Sequence, residues 1–183
     1  WKLGQTWHAP RYASEQYHSP AWSMYLGFQP GLADRFSYSS ARQQVQIPAN
    51  VQTVTLYFWY FPIWEANGGQ DQQQFVLLEP WSDGVITVPW RAQSNAQSWQ
   101  VQSVDMTAYR GRTLDLYFAA INDGVGGRIA MYVDDVTLLA CVPAAPTPTV
   151  LPAAPTAAAT VAPAVSTMAP QAPPTAVPTV TQP

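Results

Sequence analysis

Two aspartates stand side by side, Asp134 and Asp135, inside the apolar run RIAMYVDDVTLLAC at residues 128–141. Met131 and Val133 share one strand parity and Val136 and Leu138 the other, so a flat strand would leave half of them in water. A bulge at the doublet inserts one residue and turns both apolar pairs toward a single core. It also sets two carboxylates at a bend, where they repel each other unless a cation or N–H donors compensate. Calcium is one compensating group, since it takes roughly six to eight oxygen ligands from carboxylates and carbonyls. Further ligands would come from residues 1–20, where Glu15 is the only carboxylate. The alternative is that backbone amides or Arg128 satisfy both acids without a metal.

The second chemical resource is aromatic. The chain has eight tryptophans, and VTLYFWYF at residues 54–61 alternates Leu56, Phe58 and Tyr60 against Tyr57, Trp59 and Phe61. The second of these faces, flanked by glutamines such as Gln44, Gln46, Gln100 and Gln102 and by Tyr117, suits a sugar. Aromatic faces stack on the apolar face of a pyranose, and amides donate and accept toward hydroxyls. Trp64, Trp81 and Trp90 fall in stretches that read as loops and would complete a groove with Tyr57 and Trp59. Extra aromatics also pack beneath long loops or against a neighbouring domain, and that reading stays open.

Catalytic patterns are absent. His8 and His18 lie in the irregular N-terminal stretch, no G-x-S-x-G elbow occurs, and neither H-E-x-x-H nor paired C-x-x-C is present. The glycines of NDGVGG at 122–127 lack the lysine and following helix of a phosphate loop and read as a turn. The expectation is a domain that is not an enzyme.

Strands must position these groups. Trp22, Met24 and Leu26 alternate before Gly27; Gln43, Val45 and Ile47 precede Pro48; VTLYFWYF, FVLL (75–78), VITV (85–88), the stretch from Trp99, and Leu114 to Ala120 follow. With the closing run this makes about eight strands and no helix. The reading is all-β, an antiparallel two-sheet β-sandwich of jelly-roll type.

HSPAWSMYLG, SSARQQVQIPANVQTVTLYFWYF, VDMTAYRGRTLDLYFAAINDG and the closing strand, in that order, resemble MAM-like and carbohydrate-binding-module jelly rolls of secreted bacterial proteins. The resemblance spans most of residues 18–141. MAM domains carry several cysteines and this chain only Cys141, so the broader jelly roll is the one implied. It also implies a structural calcium where the last strand meets the first, carried here by Asp134 and Asp135, and a noncatalytic accessory module appended to an exported peptidase or hydrolase.

Composition sets the limits. All 8 Lys and Arg and all 11 Asp and Glu precede Cys141, and 11 of the last 42 residues are proline. Residues 1–141 read as one sandwich domain, and residues 142–183 as a disordered Pro/Ala/Thr-rich linker or tail. A net charge of −3 argues against a nucleic-acid partner, and no apolar run is long enough for a membrane span. The sequence starts at Trp1 without a leader, and reads as an excerpt or processed form of a secreted or cell-surface protein. The expected partner is a polysaccharide or glycoprotein; the alternative is a structural or adhesion module that packs on a neighbouring domain of its parent chain or self-associates.

Overall fold

The computed structural model describes residues 1–65 and 69–143. They form two five-stranded antiparallel sheets laid face to face. Sheet A runs β1 (Lys2–Leu3), β4 (Ser37–Gln46), β9 (Thr113–Asn122), β6 (Gln72–Leu78) and β7 (Val85–Ala92). Sheet B runs β2 (Arg11–Ala13), β3 (Ser23–Gly27), β10 (Arg128–Cys141), β5 (Thr53–Glu65) and β8 (Gln100–Asp105). The all-β sandwich is as expected. β10 ends at Cys141, and from residue 144 the expected tail lies outside the described residues.

Alternation supplies the core. Leu56, Phe58 and Tyr60 of β5 face Phe75 and Leu77 of β6 and Leu114, Leu116 and Phe118 of β9. The Phe118 ring lies 4.9 Å from both Phe58 and Phe75, centroid to centroid, tilted against each. Each such fully buried ring contributes about 2 kcal/mol of transfer free energy. The bulge in β10 is present: Asp134 pairs with Trp59 while Thr137 pairs with Tyr57, so one extra residue sits on β10. Asp135 takes φ 45° there, and Met131, Val133, Val136 and Leu138 all reach the one core.

Several elements differ from the sequence reading. Trp64 is not on a loop but inside β5, paired with Ile129 and packed on the core. VITV extends through Pro89 to Ala92 as β7, which tolerates proline because it is the sheet's edge strand. β3 is buried throughout rather than half-buried, because β2 and β10 flank it in the sheet, its outward Tyr25 packs with Ala13 and Tyr132, and Ser23 donates to the Gln16 carbonyl; Trp22 lies outside it, exposed. Gly27, at φ 112°, lets β3 close on β10: a Cβ would stand 2.3 Å from the Ile129 carbonyl oxygen. The D-x-T-x-Y-x-G corner is a single 3-10 turn, Thr107–Tyr109, held by the Asp105 carboxylate on the Thr107 amide at 2.8 Å.

Candidate functional site

β4 and β5 are consecutive in sequence but belong to different sheets, and this separates groups that the sequence reading had combined. Gln44, Gln46 and Tyr117 lie on the outer face of sheet A, whereas Tyr57, Trp59 and Phe61 lie on the outer face of sheet B. Gln100 points inward from β8 and accepts the Tyr60 hydroxyl at 2.6 Å.

The outer face of sheet B is roofed. The N-terminal segment crosses it and is clasped to the bulge through three of the four oxygens of the aspartate pair. Asp134 Oδ2 accepts the His18 amide at 2.8 Å and the Ser19 amide at 3.1 Å, and its Oδ1 accepts the Asp135 amide at 2.8 Å. Asp135 Oδ1 accepts the Ser19 hydroxyl at 2.6 Å, and its Oδ2 lies 2.6 Å from His18 Nδ1. Ser19 and then His18 hold the Asp135 carboxyl below its ordinary range. The His18 ring stacks on Trp59, centroids 3.8 Å apart and planes 14° from parallel. Next to it Tyr25, Tyr132, Phe61 and Trp99 pack on one another as a second, smaller apolar cluster.

These contacts test the fit of calcium. All four carboxylate oxygens of Asp134 and Asp135 already accept from protein donors, so an ion at the bulge would compete with His18 and Ser19 for these two acids. Among the described residues no group of three or more His, Cys, Asp or Glu side chains is arranged to hold a metal. Calcium at the bulge would therefore need carbonyl or water oxygens beyond these two carboxylates.

The five aromatics read as a groove do not converge. Trp90 turns its ring into the core, edge-on to Tyr60 at 4.7 Å and Phe58 at 5.5 Å, and Trp64 is half-buried against the same core. Trp59 is covered by His18. Tyr57 is open on sheet B. Trp81 is the most open of all, 84% exposed at the tip of the β6–β7 hairpin with φ 61°. That hairpin is braced by Arg112 on Glu79 at 2.9 Å and by Arg42 on Asp83 at 3.2 Å.

The outer face of sheet A is open. Cross-strand rows there read Tyr38, Ile121, Gln72; then Ser40, Ala119, Gln74, Arg91; then Arg42, Tyr117, Val76. Ser40 and Ala119, in the middle row, are buried. A groove of about 560 Å³ opens on this face, lined by Phe36, Tyr38 and Tyr117, by Gln72 and Gln74, and by Val85 and Val88 of β7. Phe36 meets Tyr38 edge-on at 5.3 Å, and both rings are exposed. A second depression of about 660 Å³ adjoins it and shares Phe36, Tyr38, Asp83 and Tyr117. Arg42 is spanned by Asp83 and, at 4.0 Å, by buried Asp115. The uniformly polar QDQQQ and the small and polar SYSSARQQ carry no clear alternation, so this face had no signal in the sequence before the sheet order was known.

No family model matches this chain, and no curated protein matches it. Solved structures do. The carbohydrate-binding module TmCBM61 in complex with beta-1,4-galactotriose aligns at 10% identity and a TM-score of 0.49, covering 72% of this chain and 81% of its own. A family 16 carbohydrate-binding module aligns at 13% identity and a TM-score of 0.44, covering 70% and 83%. The enzymatically active domain of bacteriophage CBA120 tailspike protein 4 aligns at 10% identity and a TM-score of 0.46, covering 72% of this chain and 17% of its own.

Proposed function

We propose that this domain is a noncatalytic carbohydrate-binding module of an exported protein, and that it holds a polysaccharide or the glycan of a glycoprotein along the outer face of sheet A. The observation that carries this reading is the groove itself: Phe36, Tyr38 and Tyr117 line it together with Gln70, Gln72 and Gln74. Rings supply stacking surface and amides pair with hydroxyls. Trp81, on its braced hairpin, adds a platform beyond the groove. By holding glycan, the module raises the local concentration of whatever catalytic domain its parent chain carries.

Binding is measured by affinity electrophoresis and tryptophan fluorescence against a panel of soluble polysaccharides, for the chain and for Tyr38→Ala/Tyr117→Ala. Retention by one glycan that the double variant loses supports the groove; retention by no glycan sinks the reading. Running the panel and thermal melts with calcium and with chelator tests the metal. A calcium-dependent rise in melting temperature that Asp134→Asn/Asp135→Asn abolishes would establish an ion at the bulge.

A second reading, a module that packs on a neighbouring domain, is favoured by Tyr12, Tyr17 and Trp22, which are all exposed along the N-terminal segment and β2. Quenching of Trp22 fluorescence only when the adjoining domain is supplied would support it.

A further inference from the structure

The buried polar atoms that find no partner among the described residues are His8 Nε2, Asp34 Oδ1, Ser39 Oγ, Asp71 Oδ2 and Asn122 Nδ2. They gather at one end of the sandwich. Asn122 pairs with Ser37 across β4 and β9, and the His8 amide donates to Ser37 Oγ at 3.2 Å. Gln72 pairs with Ile121, which places Asp71, one residue earlier, beside Asn122. Asp71 Oδ1 accepts the Asp123 amide at 2.8 Å, and Asn122 Oδ1 accepts the Gly124 amide at 2.8 Å.

Asp71 and Asn122 are 1% and 0% exposed, as is His8 at 0%. The unpartnered atoms are complementary in kind: Asn122 Nδ2, His8 Nε2 and the Ser39 hydroxyl can donate, and the Asp71 and Asp34 oxygens can accept. They do not meet directly. A buried donor or acceptor left bare is costly, and internal water is the ordinary way to join such groups. The cost is greatest for a buried carboxylate, which can also be relieved by protonation.

We infer that this cluster of His8, Asp34, Ser39, Asp71 and Asn122, a polar chamber joined by internal water, is a proton-binding site in which Asp71 takes up a proton within the folded domain. The charges around it favour that. Asp71 faces Asp123 from the β9–β10 turn and Asp34 from the β3–β4 loop, while burial lowers the pKa of His8, near Asp34. The nearby cations are engaged elsewhere: Arg35 lies over the Trp7 ring, and Arg128 lies over Phe28 and 3.6 Å from Glu65. Burial first, and then the neighbouring acids, push the Asp71 carboxyl up to about 6. Asp123, whose amide Asp71 holds, also lines the groove of sheet A.

Because the folded-state pKa lies above the unfolded one, Asp71 favours the fold most in acid, and this contribution is lost as pH rises toward about 6. His8, with its pKa lowered, acts oppositely: its contribution is present above the unfolded value of 6.5 and lost as pH falls. The comparison that isolates Asp71 is therefore the full chain against Asp71→Asn, which keeps the acceptor for Asp123. Thermal melts from about pH 4 to about pH 8 are expected to show the native chain losing several degrees relative to the variant, with the variant melting higher at the alkaline end. Carboxyl-carbon NMR should show Asp71 titrating near pH 6. Parallel melting profiles, or titration near the ordinary aspartate value, would overturn the inference. So would a calcium-induced rise in melting temperature that Asp71→Asn removes, which would make the chamber a cation site. Should Asp71→Asn not fold, Asp34→Asn decides: loss of one neighbouring charge must lower the Asp71 midpoint, and an unmoved midpoint counts against the site.

Discussion

The two outer faces of this sandwich carry similar chemistry and opposite accessibility. Sheet B has the denser aromatic surface, Tyr25, Phe61, Trp99, Tyr132 and Trp59, yet most of it is consumed by mutual packing and by the N-terminal segment that His18 and Ser19 fasten to the bulge. Sheet A has fewer aromatics, but Phe36, Tyr38 and Tyr117 line an open groove with Gln72 and Gln74. Aromatic abundance therefore reports the strength of a second core here, and the proposed glycan contact lies where fewer rings are left uncovered.

The contrast can be broken most forcefully at the clasp. Asp134→Ala removes the acceptor of three backbone amides and should cost about 3 kcal/mol in urea unfolding, since bonds to a charged acceptor are worth roughly 1.5–3 kcal/mol each and water recovers part. A loss below about 1 kcal/mol would mean the roof is not fastened there. The clasp also sets a pH dependence opposite to that of Asp71. With the Asp135 carboxyl depressed, its contribution is present above the unfolded value of 3.8 and disappears as acid carries pH below it, exposing Trp59 to fluorescence quenchers.

Next in size, Trp59→Ala should lower stability by about 2 kcal/mol while leaving glycan retention intact, because the ring is sandwiched by His18 rather than presented. Retention that falls with stability unchanged would move the binding surface back to sheet B. Tyr117→Ala should do the reverse, weakening retention roughly tenfold, about 1.4 kcal/mol, with little change in melting. The smallest effect belongs to Trp81→Gly. Relief of a non-glycine residue at φ 61° should raise stability by about 0.5 kcal/mol, and a decrease would show that the exposed indole supports the hairpin.

Much of the fold was legible in local pattern. The parity break between Val133 and Val136 demanded a bulge, and the structure has it between Asp134 and Thr137. The alternation in VTLYFWYF assigned Leu56, Phe58 and Tyr60 to the core correctly. Trp64 and Trp90 were misplaced because proline and a long apparent loop concealed the ends of β5 and β7, which pairing with β10 and β6 extends. Gln44, Gln46 and Tyr117 were assigned to the wrong neighbours because their strands pair with partners distant in sequence.

What the residues determined alone is therefore periodic: which side chains face in, where the chain must bulge, and that two aspartates at that bulge need compensation. What only the tertiary structure decided is who compensates them, which aromatics are covered, and where a groove opens. Side-chain parity is a property of one strand, readable over a few residues, whereas sheet order and the lie of the N-terminal segment depend on contacts between residues more than a hundred positions apart.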